Sequence, residues 1–132
     1  MGLLLTADCL RRYSDEVLSR FGLTTQQYNV LRILRGSQPD GLPTLEIASR
    51  MIEKAPGVTR LLDRLERKRL VSRRRCASDR RQVLCAITPM GLALLKQIDP
   101  AVHRAADRIN RLPQKDLKRL VALLDAVRLA HR

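Results

Sequence analysis

The stretch from residue 44 to residue 88 restricts the fold more than any other part of the chain. It contains two amphipathic helical patterns, "TLEIASRM" and "APGVTRLLDRLERKRL", separated by a connection of about four or five residues. Two strand patterns, "LVSRRR" and "QVLCAIT", follow directly and are joined by the turn-like "CASDR". This order of elements predicts a winged helix-turn-helix, in which the hairpin is the wing.

Each helix of this unit has an expected start and an expected buried stripe. Thr44 is expected to cap the first helix, whose inward residues would be Leu45, Ala48 and Met51 or Ile52. Pro56 fits the first position of the second helix, where its missing N–H costs nothing. The buried stripe of the second helix would consist of Val58, Leu61, Leu62 and Leu65. Its outward face is then cationic, as expected for a helix that enters the major groove of DNA.

The tip of the predicted hairpin is strongly basic. Residues 73–83, "RRRCASDRRQV", contain five arginines and one aspartate, and they lie between two apolar strand patterns. Such a tip could reach phosphates or a neighbouring minor groove. Asp79 is expected to hold the guanidinium of Arg81, so that less side-chain entropy is lost on binding. The alternative is a solvated run of charges with no binding role.

The net charge of the chain points to a polyanionic partner. The chain carries 26 Lys+Arg against 13 Asp+Glu, and residues 44–88 alone carry 12 basic and 5 acidic residues. Nucleic acid is the first candidate and an acidic membrane surface is the second. With only two Tyr, one Phe and no Trp, the chain offers few aromatics on which RNA bases could stack. Double-stranded DNA is therefore the favoured partner.

Amphipathic helices are predicted on both sides of this unit. Helical spacing over 3–21 and 23–36, with a capping box at Thr24 and Gln27 and a cap at Gly36, precedes it. Helices from Met90 onward follow it, with a kink or break near Asp99 because Pro100 interrupts the pattern. The terminal helices carry more apolar surface than one small domain can cover, which favours a homodimer. The expected interface residues are Leu10, Val17, Leu117, Val121 and Leu124.

Several classes of protein are disfavoured by the sequence. No apolar run approaches the ~20 residues that a membrane span needs, and the expected compartment is the cytoplasm. The three cysteines include no close pair, and His103 and His131 have no second ligand at metal spacing, so neither a metal nor another cofactor is expected. A glycine-rich phosphate loop, a nucleophile elbow and a concentrated pair of acids are all missing, so the chain is not expected to be an enzyme.

Taken together, the chain resembles the MarR family of winged-helix regulators over essentially its whole length. The matching segments are "LTTQQYNVLRIL" (23–34), "VTRLLDRLERKRLVSRR" (58–74) and "SDRRQVLCAITPMGLALL" (78–95). The resemblance implies one domain over 1–132, with a DNA-binding lobe at 23–88 and dimerisation helices at 1–22 and 89–132. It also implies a homodimeric repressor of a palindromic site that small phenolic or lipophilic anionic effectors release. A departure from the family occurs at Ala55–Pro56–Gly57, where members often have a small hydroxyl residue.

The resemblance and the patterns together define the candidate site residues. Those of the recognition helix, placed at 56–69, are Pro56, Gly57, Thr59, Arg60 and Arg64. Those of the wing are Arg73, Arg74, Arg75, Asp79, Arg80 and Arg81, of which the first three are expected to clamp phosphates. The candidate effector pocket consists of Cys9, Arg12, Tyr13, Tyr28 and Arg32.

Two alternatives stay open at this point. Peroxide-sensing members of the family use a cysteine of the first helix, so Cys9 is either a sensor beside the tyrosines or a small buried hydrophobe. The chain could also be an architectural DNA-binding or RNA-binding protein without a regulatory role. Such a protein would show little preference for a palindrome.

Overall fold

The computed structural model describes residues 1–54, 56–109 and 111–131. Its helices are α1 (Gly2–Ser19), α2 (Thr25–Gly36), α3 (Thr44–Arg50), α4 (Val58–Arg67), α5 (Pro89–Ile109) and α6 (Gln114–Ala130). Its strands are β1 (Leu42–Pro43), β2 (Val71–Arg75) and β3 (Val83–Ile87), which form one antiparallel sheet in the order β1-β3-β2. The mainly helical winged helix-turn-helix predicted from the sequence is confirmed, with α3 and α4 followed by the β2–β3 hairpin.

The ends of α1 and α2 follow from local chemistry. Gly22 takes φ +70 just after α1, a backbone region that glycine enters without strain. The predicted capping box is present: Gln27 N–H donates to Thr24 Oγ1 at 3.2 Å, and Thr24 N–H donates to Gln27 Oε1 at 3.1 Å. Gly36 is not the cap that was expected. It is the last residue of α2, and the cap is Ser37.

Three expectations about the helix-turn-helix are wrong in detail. Thr44 begins α3 instead of capping it, because Leu42 and Pro43 pair with β3 and keep the chain extended up to that point. The same pairing makes part of the expected loop 37–43 a strand. Helix α4 begins at Val58 and not at Pro56, since Gly57 takes the left-handed φ of 93° and turns the chain there. The connection between the helices is therefore residues 51–57.

The core forms where α2, α3, α4 and the sheet meet α5. The α4 stripe of Val58, Leu61, Leu62 and Leu65 is buried as predicted. In α3 the buried positions are Ile47 and Met51, whereas Leu45 and Ile52 are 85% and 83% exposed. Leu45 lies two residues before Ile47, so it emerges from nearly the opposite side of the helix. The expectation is therefore wrong for Leu45, whereas of the two alternatives Met51 and Ile52 it is Met51, the C-cap residue of α3, that faces inward.

Helices α1, α5 and α6 differ in how much they bury. Helix α5 continues through Pro100, as expected, and of the kink or break expected near Asp99 the break does not occur. Val17 in α1 is only 7% exposed within the protomer, which removes it from the expected dimer interface. Helix α6 contains no buried residue at all. Its apolar side chains are left for contacts outside the protomer.

Gly91 lies at the junction between the hairpin and α5. A Cβ atom on this residue would lie 2.4 Å from the carbonyl oxygen of Leu70 and 2.7 Å from Cγ1 of Ile87. Thr88 fixes the same junction, because its hydroxyl donates to Arg69 O at 2.7 Å and accepts from Gly91 N–H at 3.1 Å. The start of α5 can approach β2 this closely only without a side chain.

Gly91→Ala is expected to lower the free energy of unfolding by about 1–3 kcal/mol, because the added methyl meets a backbone carbonyl and must displace it. The matched control is Gly36→Ala at the exposed end of α2, where a Cβ meets nothing within 4 Å. There the same change should stabilise the protein by up to about 1 kcal/mol, the difference in helix propensity. Urea denaturation measures both. Equal effects of the two substitutions would contradict the close packing at Gly91.

Candidate nucleic-acid interface and ligand cavity

The outward face of α4 carries arginines that form no ion pair among the described residues. Thr59, Arg60 and Arg64 are all exposed, and the two arginines lie one helical turn apart. Neither arginine forms an ion pair with any residue that the structure describes. Their guanidinium groups are thus available to an external anion or to the edge of a guanine.

A cationic groove runs along the start of α4. It has a volume of about 560 Å³, and its lining includes Gln26, Pro56, Gly57, Arg60 and Arg64. Among the described residues, no side chain caps the first N–H groups of α4, and no atom lies within 4 Å of a Cβ built on Gly57. Exposed N–H groups at a helix start, with two arginines beside them, favour a phosphate. Ala55, which belongs to the unusual segment before α4, lies outside the described residues.

The wing is held in shape by hydrogen bonds across its tip. Cys76 N–H donates to Gln82 O at 2.8 Å, and Gln82 N–H donates to Asp79 O at 3.0 Å. The guanidinium of Arg75 donates to the carbonyl of Arg80 at 2.9 Å. On β3, Cys85 and Ile87 are buried and Val83 emerges near the tip. The tip is therefore an ordered turn, not a loose run of charges.

Asp79 does not hold the guanidinium of Arg81. Its carboxylate oxygen Oδ1 instead accepts a hydrogen bond from the backbone N–H of Arg81 at 3.0 Å. This is the usual short-range contact of an aspartate two residues before the N–H it accepts from, and it stabilises the turn. The side chain of Arg81 forms no ion pair among the described residues. Asp79 thus positions Arg81 through the main chain.

The three arginines of β2 differ from one another, which their shared "RRR" pattern does not reveal. Arg73 points inward and pairs with Asp63 and Glu66 of α4, so the expectation that it clamps phosphate is wrong. Arg74 donates to the carbonyl of Asp40 at 3.1 Å. Arg74 and Arg75 are exposed and each donates to a carbonyl, which leaves both with further N–H groups for an anion.

We call the surface formed by Arg60, Arg64, Arg80 and Arg81 the cationic face. All four side chains are exposed, and none forms an ion pair with a residue that the structure describes. The face combines a helix of suitable width for the major groove with a basic hairpin tip. It could bind a duplex with the helix in one groove and the tip on the adjacent backbone.

The three thiols lie in different surroundings. Cys85 is buried as predicted, and burial raises the pKa of its thiol to about 11. Hydrogen bonds lower the pKa of Cys76, first from the Ser78 side chain and then from the backbone N–H groups of Asp79 and Ser78. Cys9 is exposed and was expected to be in the core or beside the tyrosines. The leucines in the same part of α1, Leu3, Leu4, Leu5 and Leu10, are exposed as well, so the described residues of one protomer leave this end of the helix open to solvent.

A second cavity, which we call the interhelical cavity, lies between α1, α2 and α5 with a volume of about 270 Å³. Tyr13, Tyr28 and Arg32 line it as predicted. Cys9 and Arg12 do not. Arg12 lies on the outer face of α1, where it pairs with Asp8 at 2.7 Å. Most of the remaining lining is apolar and consists of Val17, Leu18, Ile52, Val102, Ala105 and Ala106.

Polar groups lie at one side of this cavity. The guanidinium carbon of Arg32 lies 5.8 Å from the centre of the Tyr28 ring. The pKa of Tyr28 is raised, first because its hydroxyl is partly buried, with Arg32 opposing that shift. Tyr28 therefore stays neutral near pH 7 and can donate a hydrogen bond, while Arg32 supplies a positive charge.

The interhelical cavity also touches the turn that leads to α4. Asn29 and Ile52 both line the cavity, and the backbone N–H of Ile52 donates to Asn29 Oδ1 at 2.9 Å. Sequence reasoning missed Asn29, although an amide among the apolar positions of α2 is the kind of residue that fastens a neighbouring turn. Whatever fills the cavity meets the hydrogen-bonded pair that fastens the chain just after α3.

Some other kinds of site do not occur in the described part of the chain. Over residues 1–54, 56–109 and 111–131, no cluster of three His, Cys, Asp or Glu side chains could hold a metal ion. Within the same residues, every helix is either too short or too polar to cross a membrane.

Comparison with known proteins gives consistent matches. The sequence profile of the MarR family matches residues 23–83. The crystal structure of a MarR transcription factor from Planctomyces limnophilus is similar, with 40% identity and a TM-score of 0.73 over 94% of this chain and 90% of that one. The S. aureus MepR–DNA complex has 25% identity and a TM-score of 0.86 over 97% and 94%. CouR from Rhodococcus jostii RHA1, bound to p-coumaroyl-CoA, has 27% identity and a TM-score of 0.80 over 96% and 90%.

Proposed function

The chain belongs to the MarR family of transcriptional regulators, and from this premise we propose that it is a homodimeric repressor of a palindromic operator, released by a small lipophilic anion. The observation that carries the proposal is the cationic face, where Arg60 and Arg64 extend from α4 without partners among the described residues. A regulator that reads DNA needs such groups free before it binds.

The DNA-binding part of the proposal rests on how α4 and the wing are presented. MepR, a structural relative, has been seen in a complex with DNA. By analogy, α4 would enter the major groove with its first turns toward the bases, and the wing tip would lie on the neighbouring backbone or minor groove. Pro56, Gly57 and Thr59 would then face the backbone at the start of the helix.

The dimer part rests on the terminal helices. Leu120, Val121 and Val127 of α6 are all exposed within one protomer, and so is Leu10 of α1. Leu117 and Leu124 are half-buried on the same stripe of α6. An isolated helix of this length is marginal in water, so α6 needs a partner to cover its apolar side. A second copy of the chain provides one and places two copies of α4 on one duplex.

The effector part rests on the interhelical cavity. Its apolar lining suits a lipophilic group, and Arg32 and Tyr28 offer a positive charge and a donor for a carboxylate. The related CouR binds p-coumaroyl-CoA, which combines an aromatic acyl group with anionic groups. A ligand changes DNA affinity only if it favours the conformation that fits DNA poorly. Contact with Ile52 and Asn29 gives it a way to do so, because these residues hold the turn before α4.

Selection of binding sites from random duplex DNA tests the proposed function. A dimeric repressor should enrich a palindrome whose half-sites lie about 10 bp apart, one turn of the duplex. An architectural protein should enrich no palindrome, and its affinity should follow salt concentration rather than sequence. A selection that enriches no palindromic sequence would therefore contradict the proposal.

Asp79→Ala is expected to weaken operator binding although it removes a negative charge. The carboxylate accepts a hydrogen bond from the N–H of Arg81. Without it, the turn loses a hydrogen bond that contributes about 0.5–1.5 kcal/mol to the stability of the wing tip. The same reasoning predicts that Asp79→Asn, whose side-chain oxygen also accepts from that N–H, keeps most of the affinity. Titration of labelled operator by both variants measures this. Tighter binding by Asp79→Ala would show that Asp79 acts only by its charge.

Arg32→Gln is expected to abolish release of the operator by aromatic carboxylates while leaving operator binding itself in place. The matched control is Arg12→Gln, since Arg12 was also expected in the pocket but lies on the outer face of α1. A panel of aromatic acids added to the protein–operator complex measures release by fluorescence anisotropy. If Arg12→Gln lost the response and Arg32→Gln kept it, the interhelical cavity would not be the effector site.

A further inference from the structure

Arg73 differs most from what its position in the basic run of the wing predicts. It lies in the middle of β2, opposite Cys85 in β3, and its side chain is only 22% exposed. Its neighbours Arg74 and Arg75 are exposed. Arg73 and Arg75 emerge from the same face of β2, but Arg73 lies further from the tip, where its guanidinium pairs with carboxylates of α4.

The partners of Arg73 both belong to the recognition helix. Its Nη2 donates to Oδ1 of Asp63, and its Nε lies 3.6 Å from Oε2 of Glu66. Asp63 and Glu66 are three residues apart, so they lie on one side of α4. Nε is buried and donates no hydrogen bond within the described residues. At 3.6 Å, Glu66 neutralises this group without satisfying it.

This arrangement has two physical consequences. The two carboxylates lie on the same helix as Arg60 and Arg64, and left uncompensated they would repel the phosphates of a duplex. Arg73 offsets one of these two negative charges from the side of the sheet. It also joins α4 to the root of the hairpin, so that a half-buried ion pair opposes any change in the angle between helix and wing.

We propose that Arg73 is a positioning residue that fastens the wing to the recognition helix and contacts no DNA itself. It sets the register in which α4 meets base edges while Arg80 and Arg81 meet the backbone. This inference rests on the proposed function, because register matters only to a protein that reads a sequence. It reverses the expectation that Arg73 is a phosphate clamp.

The test compares Arg73→Gln with Arg80→Gln, a wing-tip variant expected to lose a direct phosphate contact. Affinities for the selected operator and for random duplex are measured over a range of salt concentrations. Arg73→Gln should lower the ratio of operator to random affinity by about tenfold, similar to one mismatched base pair. The slope of its log affinity against log salt concentration, which we call the salt slope, should stay that of the wild type. Arg80→Gln should keep the ratio and lose about one unit of slope per phosphate contact. Loss of slope in Arg73→Gln would overturn the proposal.

Two further variants keep the test decisive. Arg73→Lys keeps the charge but loses the planar fork that spans two carboxylates, so it should also lower the affinity ratio. A wild-type ratio in Arg73→Lys would overturn the proposal even if Arg73→Gln failed to fold. Asp63→Asn should lower the ratio in the wild type but leave it unchanged in the Arg73→Gln background, where the ion pair is already lost. Equal effects in both backgrounds would mean that the two residues act independently and would also overturn it.

The outcome for Arg73 can be separated from the outcome for the repressor function. If the wild type preferred no sequence, the proposed function would fail. The salt slope measured on random duplex would still show whether Arg73 contacts a phosphate. A slope unchanged by Arg73→Gln would show that its guanidinium contacts no phosphate, and a reduced slope would show that it does.

Discussion

Val121→Asp is expected to turn the dimer into monomers or aggregates and to abolish operator binding at nanomolar concentration. Val121 is 56% exposed in the protomer and lies between Leu117 and Leu124 on the apolar stripe of α6. A two-fold dimer brings this stripe against its own copy or against α1 of the partner. Each dimer would then bury two new carboxylates in an apolar contact.

The size of this effect follows from the cost of burying charge. Moving an unpaired carboxylate out of water costs several kcal/mol of free energy even after relaxation. Two such carboxylates in each dimer raise its dissociation constant far above micromolar. Leu124→Asp should act in the same way. Ala126→Asp is the matched control, because residue 126 is exposed on the opposite side of α6 and gains the same charge there. Sedimentation and operator titration measure the two outcomes. A wild-type protein that sediments as a monomer at micromolar concentration would contradict the proposed dimer.

The elements of the DNA-binding unit could be predicted because each has a local signature. The buried stripe of α4 repeats at helical spacing, and the inward positions of β3 alternate. The capping box of α2 depends on two residues three apart, so it too is visible in the sequence. These patterns report on contacts within one element or between neighbouring elements.

The errors concern side chains whose direction is set by distant contacts. Arg73, Arg74 and Arg75 are identical in sequence, and only the position of α4 against β2 gives Arg73 an inward partner. Asp79 could reach either the guanidinium or the N–H of Arg81 at the same spacing, and the turn geometry selects the N–H. Leu45 and Ile52 matched an apolar pattern, but α3 is too short to bury more than one side.

In the effector pocket, too, some residues could be predicted from the sequence, whereas the place of others depends on distant contacts. Tyr13, Tyr28 and Arg32 were predicted from the family resemblance together with their places on the first two helices, and all three line the interhelical cavity. Cys9 lies one turn before Tyr13 on the same side of α1, so its spacing is equally suitable. Among the described residues, however, Cys9 is exposed and does not line the cavity, which depends on how the other helices pack around that part of α1. Asn29 was missed because its role depends on a turn that is distant in sequence.

Replacing Arg60 and Arg64 singly with alanine is expected to give the largest loss of sequence preference. Both are exposed along the groove at the start of α4, where a recognition helix contacts base edges. An arginine that reads guanine with two hydrogen bonds contributes about 1–3 kcal/mol of discrimination, and a dimer contains it twice. At least one variant should therefore lose about 2–6 kcal/mol of preference for the operator. That loss should map to one position in each half-site.

The pattern across variants separates base reading from phosphate binding. Arg80→Ala at the wing tip serves as the control, because a phosphate contact should weaken operator and random duplex alike. Binding-site selection repeated with each α4 variant should show one position in each half-site at which all four bases are accepted. The same position should change on both sides of the two-fold axis, since the two copies of α4 are equivalent. If Arg60→Ala and Arg64→Ala both weakened operator and random duplex equally, α4 would bind only the backbone, and the assignment of α4 as the sequence reader would be wrong.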